Sequence, residues 1–281
     1  MTVLEGIQLT TEYLEKKGID SPRTNAELML SHILKCKRLD LYLSFDKPLK
    51  DEEIKLYREY LRRRSAFEPL QYIVGSVEFY GLEFNVNSSV LIPRPETEVI
   101  IETIINFFPN ENSLSFLDVG TGSGNIAVCL AKYFPNTDIT TIEVNQDAIQ
   151  LAKENAELNN VVERINFINA DIKDFLPGNK FDVIVSNPPY VSSEEYPNLQ
   201  KEIVEYEPAE AVSDFGDGYT FYKLICEKAN LFLNKPGYLF FELGKDQQST
   251  VNKIMEENNF QNITVKKDYL NIERVIYGEL K

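Results

Sequence analysis

From residue 115 onward, short apolar runs alternate with stretches of helical spacing. The runs fall at 116–119, 139–142, 165–168, 181–185 and 238–241, and helical spacing occupies 126–133, 148–158, 221–233 and 251–257. Strands separated by helices cannot pair as hairpins. They predict a mostly parallel sheet with helices on both faces. Two further runs, 263–267 and 275–277, have no helix between them and predict an antiparallel pair. There is no internal repeat and no low-complexity segment.

The preceding third reads differently. Residues 2–66 carry helical stripes: Val3, Ile7 and Leu14, then Ala26, Leu30, Ile33 and Leu34, then Ile54, Tyr57 and Leu61. Ser21-Pro22 and Asp51 read as helix starts, the hydroxyl and the carboxylate being suited to capping. Arg62, Arg63 and Arg64 read as a solvated helix end. Val77, Phe79, Leu82, Phe84 and Val86 alternate around Gly81, which predicts a hairpin. A length of 281 residues suits one large domain or two modest ones. The division expected is a helical domain at 1–68, a hairpin linker at 69–92 and an α/β domain at 93–281.

Charge supports that division and limits the partners. The chain carries a net −15. Residues 1–90 hold 13 Lys and Arg against 14 Asp and Glu, whereas residues 91–281 hold 16 against 30. A surface this acidic is poorly suited to nucleic acid, because phosphate binding needs Lys and Arg. The only histidine, His32, lies in an apolar helical context, so zinc sites and histidine bases are not expected. Cys36, Cys129 and Cys226 are far apart and odd in number, which reads as reduced thiols in a cytoplasmic protein. No stretch resembles a signal peptide or a membrane span.

Asp118-Val119-Gly120-Thr121-Gly122-Ser123-Gly124 falls where the first parallel strand meets a helix. Ligands of open α/β sheets bind beyond the carboxyl ends of strands, and glycines let backbone approach them. The dinucleotide pattern fits badly, because its sixth position is Asn125. An acidic residue before GxGxG is the pattern of S-adenosyl-L-methionine-dependent methyltransferases. Gly120, Thr121, Gly122, Ser123 and Gly124 would line the cofactor. Glu143 ends the next strand and can accept the ribose hydroxyl protons. Asp171 is a candidate for the adenine amine.

The fourth strand runs into Asn187-Pro188-Pro189-Tyr190. The prolines remove donors and leave carbonyls exposed. The Asn187 side-chain oxygen and the Pro188 carbonyl can then accept both hydrogens of one NH₂ group. Tyr190 is expected to lie flat on the planar group bearing that amine. Such a nitrogen is a poor nucleophile, and two acceptors concentrate electron density on it. An aromatic face stabilises the positive charge as a methyl arrives.

Asn-Pro-Pro-Tyr is shared by enzymes that methylate adenine and by enzymes that methylate protein glutamine. Two other stretches separate these groups. Residues 69–82, from Pro69-Leu70-Gln71-Tyr72 to Glu78-Phe79-Tyr80-Gly81-Leu82, and Leu91-Ile92-Pro93-Arg94-Pro95-Glu96-Thr97-Glu98, resemble the HemK/PrmC family over nearly the whole chain. The resemblance implies a Rossmann-like, seven-stranded class I methyltransferase domain preceded by a small all-α bundle and a β-hairpin linker. It implies methyl transfer from S-adenosyl-L-methionine to the glutamine of the Gly-Gly-Gln motif in peptide chain release factors, with the helical domain docking that protein. It places cofactor contacts at Gly120 to Gly124, Glu143, Asp171, Ile172 and Asn187, and the acceptor amide at Asn187 to Tyr190, with no metal. The chain departs from the family at Glu143, usually Asp, at Ile172, often aromatic, at Asp214-Phe215, usually Gly-Gly, and at Asn271, often Gly. Three other readings remain open from the residues: an adenine-specific DNA or RNA methyltransferase, a ribosomal-protein glutamine methyltransferase, and an inert fold that only binds a partner.

Overall fold

A computed structural model describes residues 1–109 and 113–281. They form two compact units, one of Met1–Gly75 with Gln200–Tyr206, the other of Ser76–Leu199 with Glu207–Lys281.

The first unit is helical: α1 Val3–Lys16, α2 Pro22–Leu34, α3 Arg38–Tyr42, α4 Asp51–Ser65 and α5 Leu70–Val74. Its core gathers Val3, Ile7, Leu14, Met29, Leu30, Leu41 and Tyr57. Pro22 opens α2 as expected, but Ser21 has φ of 49° and its side chain makes no cap bond. Asp51 is the first helical residue of α4 rather than its cap, which is Lys50. The arginine run is not uniformly solvated. Arg64 is only 4% exposed and donates to Asn25 Oδ1, the Glu68 carbonyl and Glu202. A buried guanidinium needs such partners, and they hold residues 200–206 in this unit. His32 lies on α2 beside the Tyr60 hydroxyl, 3.2 Å from its Nδ1.

The second unit opens with a hairpin of β1 Ser76–Phe79 and β2 Leu82–Asn85. Then follow α6 Glu98–Phe107, β3 Ser115–Val119, α7 Asn125–Tyr133, β4 Asp138–Glu143, α8 Gln146–Leu158, β5 Ile165–Asn169 and β6 Phe181–Ser186. The chain leaves this unit for α9, Lys201–Tyr206 of the first unit, and returns. It ends with α10 Ala209–Val212, α11 Thr220–Phe232, β7 Leu233–Glu242, α12 Gln248–Glu257, β8 Phe260–Lys267 and β9 Glu273–Leu280. Seven strands are ordered β5-β4-β3-β6-β7-β9-β8. All neighbours are parallel except β9, which runs antiparallel to both β7 and β8. The sheet carries one apolar core on each face.

The segment 69–92, read as a linker, is divided in the structure. Its start forms α5 and packs in the helical core, with Ile73 only 4% exposed. The hairpin belongs to the second unit, because Phe79 and Phe84 are buried in the core on one face of the sheet. Helix α6 was not read from the sequence; Pro93 and Pro95 masked its start, although Glu98, Glu102 and Asn106 mark its polar face at helical spacing.

Asn155 ties the hairpin to the glycine loop. It is fully buried on α8; its Nδ2 donates to the Asn85 carbonyl at 3.0 Å and the Ser123 carbonyl at 2.9 Å, and its Oδ1 accepts from Asn85 N–H at 2.7 Å. Asn155→Ala should strand these backbone groups and cost about 2–3 kcal/mol. A shift in the urea unfolding midpoint, with unchanged slope, would measure it.

Candidate active site

Strands β3 and β6 lie side by side and end at the same edge of the sheet. From β3 the chain passes to β4 on one side; β6 is paired with β7 on the other. Such a reversal leaves a crevice at the strand ends. The Ser186 hydroxyl closes its floor by donating to the Val119 carbonyl at 2.7 Å. Above the floor opens a cavity of about 440 Å³, within the usual range of about 300–1,000 Å³ for small-molecule sites.

One wall is the glycine loop. Gly120, Gly122 and Gly124 have φ of 76°, 53° and 80°, a left-handed run that side chains resist. A Cβ on Gly124 would also stand 3.1 Å from that of Ala152. Gly120, Thr121, Gly122 and Ser123 line the cavity, whereas Gly124 caps α7 behind it. Asp118 lies beneath, fully buried, with Oδ2 accepting the Thr121 hydroxyl at 2.7 Å and Oδ1 without a hydrogen bond. Burial pushes its carboxyl up to about 7.

Glu143 stands opposite at the end of β4. Its Oε2 accepts Gly122 N–H at 3.1 Å and its Oε1 accepts Asn145 N–H at 3.0 Å. Each oxygen keeps lone-pair capacity for a hydroxyl donor. Asp171 and Ile172 also line the cavity, the latter 6% exposed and part of an apolar core. Ile172 therefore offers an aliphatic surface where an aromatic side chain is often found. The two lining cations each sit beside a carboxylate, Arg94 beside Glu207 and Lys173 beside Asp171 at 3.9 Å. That wall suits a nucleoside with a cationic sulfur better than a phosphate-bearing ligand.

Asn187, Pro188 and Pro189 bring the acceptor motif to the same cavity. Asn187 Nδ2 donates to the Thr97 hydroxyl at 3.2 Å, which leaves Oδ1 as its uncommitted end. Tyr190 is partly exposed beside the turn. It is not among the cavity-lining residues; its ring packs against the core and its hydroxyl donates to Glu242 Oε1 at 3.3 Å. Burial raises that hydroxyl far above its ordinary pKa. Gln247 Nε2 holds the Tyr190 carbonyl at 2.9 Å, and a Cβ on Gly218 would strike that carbonyl.

The proline-rich stretch before α6 is built into the site. Pro93, Arg94 and Thr97 line the cavity. Arg94 and the Ile92 N–H both donate to the buried Glu207 carboxylate. Sequence reading gave Thr97 no role and missed Glu207 and Glu242. The signal for Glu242 is an acid ending an apolar strand, as Glu143 also does. At two positions where the family usually has glycine, Phe215 and Asn271 take left-handed φ of 54° and 63°, the region glycine enters without strain. Asp214 orders the 213–218 loop by accepting the N–H groups of Gly216, Gly218 and Thr220.

Residues 5–75 match the family model described as the PrmC N-terminal domain, and residues 97–217 match the methyltransferase small domain. A release factor glutamine methyltransferase of Fusobacterium nucleatum is 41% identical over 276 residues, spanning 96% of this chain and 77% of that protein. One from Geobacter sulfurreducens is 40% identical, spanning 99% and 97%. The fold is also that of a methyltransferase from Pyrococcus furiosus, with a TM-score of 0.54 at 20% identity over 72% of this chain and 90% of that one. With its sheet order, glycine loop and Asn-Pro-Pro-Tyr turn already placed, the chain belongs to the release factor glutamine methyltransferase family.

Proposed function

We propose that this chain transfers the methyl group of S-adenosyl-L-methionine to the side-chain amide nitrogen of the glutamine in the Gly-Gly-Gln motif of peptide chain release factors. The observation that carries the reading is Asn187. It sits at the end of β6 with its amide NH₂ committed to Thr97, and it shares one cavity with Glu143 and the glycine loop.

When bound, S-adenosyl-L-methionine supplies an electrophilic methyl carbon on a positively charged sulfur. Gly120 to Ser123 would give the backbone wall that holds it, Glu143 would accept from its ribose hydroxyls, and Asp171 and Ile172 would lie on the adenine side of the cavity. Asn187 Oδ1 and the Pro188 carbonyl accept the two hydrogens of the glutamine NH₂. This orients the nitrogen lone pair and favours the charge that develops on it. No strong base is required before attack, since the proton can leave the nitrogen afterwards. Tyr190 and Pro189 hold the turn. The protein acts in the cytoplasm, which agrees with three unpaired thiols. No helix among the described residues is long and apolar enough to cross a membrane.

The direct test is mass spectrometry of a release factor incubated with the chain and S-adenosyl-L-methionine. One added methyl on the Gly-Gly-Gln glutamine is expected. DNA and RNA oligonucleotides should remain unmodified even at low salt, where attraction to phosphates is strongest. Adenine methylation without release-factor methylation would favour the nucleic-acid reading instead.

Two substitutions separate the halves of the cavity. Asn187→Ala should leave cofactor affinity largely intact and lower turnover by about 10² or more, the scale for one preorganised polar partner. Glu143→Ala should weaken cofactor binding by about 1.5–3 kcal/mol, measured by calorimetry.

A further inference from the structure

Pro208, Glu210 and Ala211 line the cavity, and so does Phe221 further along the chain. The 213–218 loop between them is bonded to the segment that leaves the acceptor motif. Val191 N–H donates to the Val212 carbonyl at 3.1 Å, and the Ser213 hydroxyl donates to the Val191 carbonyl at 2.7 Å. Ser193 donates to the Gly216 carbonyl twice, from its N–H at 3.1 Å and its hydroxyl at 2.9 Å. With Asp214 tying the loop from within, loop and acceptor turn form one rigid piece at the rim of the cavity.

Phe215 is the costly residue of this loop. Its φ of 54° strains any residue with a side chain, and it is 60% exposed. A lone exposed apolar side chain is ordinary. One held in a strained backbone as well is not. Two other aromatic residues share the left-handed region, but Phe67 lies beneath the Lys201 ammonium at 4.5 Å, and Tyr80 is less exposed. Glycine at 215 would remove strain and exposure together. What Phe215 adds is a flat apolar face, fixed beside the acceptor motif.

We propose that Phe215 is a substrate-binding residue: its ring packs against the peptide groups of the glycine pair that precedes the acceptor glutamine. The assignment rests on the glutamine-methylation reading above. Glycines carry no Cβ, so an aromatic ring can lie on their peptide groups at van der Waals distance, where any other side chain would hold it off. The ring touches the acceptor chain and not the cofactor, because the glycine loop and Glu143 follow β3 and β4, whereas this loop is tied to the turn after β6. It steadies the glutamine beside Asn187 and disfavours a glutamine whose neighbours carry side chains.

The test compares the full chain with Phe215→Gly, Phe215→Asn and Phe215→Tyr. Leu231→Ala, at an exposed position on α11, is the control for apolar surface in general. Glycine and asparagine both tolerate the left-handed backbone, so these variants should fold as the parent does. In both, the KM for release factor should rise about tenfold, with kcat within about twofold and cofactor Kd unchanged. The Kd of the S-adenosylhomocysteine-loaded chain for release factor should rise equally. Phe215→Tyr should recover most of the affinity, and Leu231→Ala should match the parent. Alanine in place of the first glycine of the release-factor motif should raise KM at least about fivefold more for the parent than for Phe215→Gly. Phe215→Gly and Phe215→Asn within about twofold of the parent in KM and Kd would overturn the proposal, as would an equal effect of that alanine on parent and variant. A parent chain that leaves release factor unmethylated would instead overturn the substrate reading, and this assignment with it.

Discussion

The architecture of the second unit turns on two parallel strands that end together. β3 and β6 are hydrogen-bonded neighbours, and the strands that follow them in the chain lie on opposite sides of the pair. The space above their ends cannot be filled by the crossing chain, so a crevice is unavoidable. Each strand end then places one motif without further cost. The glycine loop follows β3, and the Asn-Pro-Pro-Tyr turn follows β6. Ser186 locks the two ends through the Val119 carbonyl, so cofactor wall and acceptor motif cannot drift apart independently.

The same edge gathers buried charge. Asp118 is the penultimate residue of β3 and Glu242 ends β7, both fully or nearly fully buried and both pushed up to about 7 by desolvation. Desolvation of a carboxylate is costly unless nearby donors use it. Asp118 takes the Thr121 hydroxyl and so braces the glycine loop, and Glu242 takes the Tyr190 hydroxyl and so braces the acceptor turn. Glu207 does related work one layer out, holding Arg94 and the Ile92 backbone beneath the proline-rich stretch. The site is a set of short polar ties anchored in an apolar sheet.

Much of this was legible in the residues. The parallel sheet, its antiparallel end and the cavity's two main motifs follow from apolar periodicity and from glycine and proline at strand ends. What escaped depends on contacts distant in sequence. Nothing local to Arg64 reveals that it is buried against Asn25 and Glu202, so a charge run read as solvated was only partly so. The hairpin read as a linker is fixed by Asn155, seventy residues further on. Nor does any local pattern show that the Tyr190 hydroxyl is held by the carboxylate of Glu242, 52 residues away. Helix α6 has a polar face at Glu98, Glu102 and Asn106, a local signal that the prolines just before it obscured.

The central claim is that Asn187 presents its oxygen, together with the Pro188 carbonyl, to an amide NH₂ beside the cofactor. The most direct measurement is a crystal structure of the chain with S-adenosylhomocysteine and a release factor bound. The account predicts the glutamine nitrogen within hydrogen-bond distance of both Asn187 Oδ1 and the Pro188 carbonyl, on the side facing the cofactor sulfur. A glutamine nitrogen held by other groups, or facing the Asn187 NH₂, would contradict it.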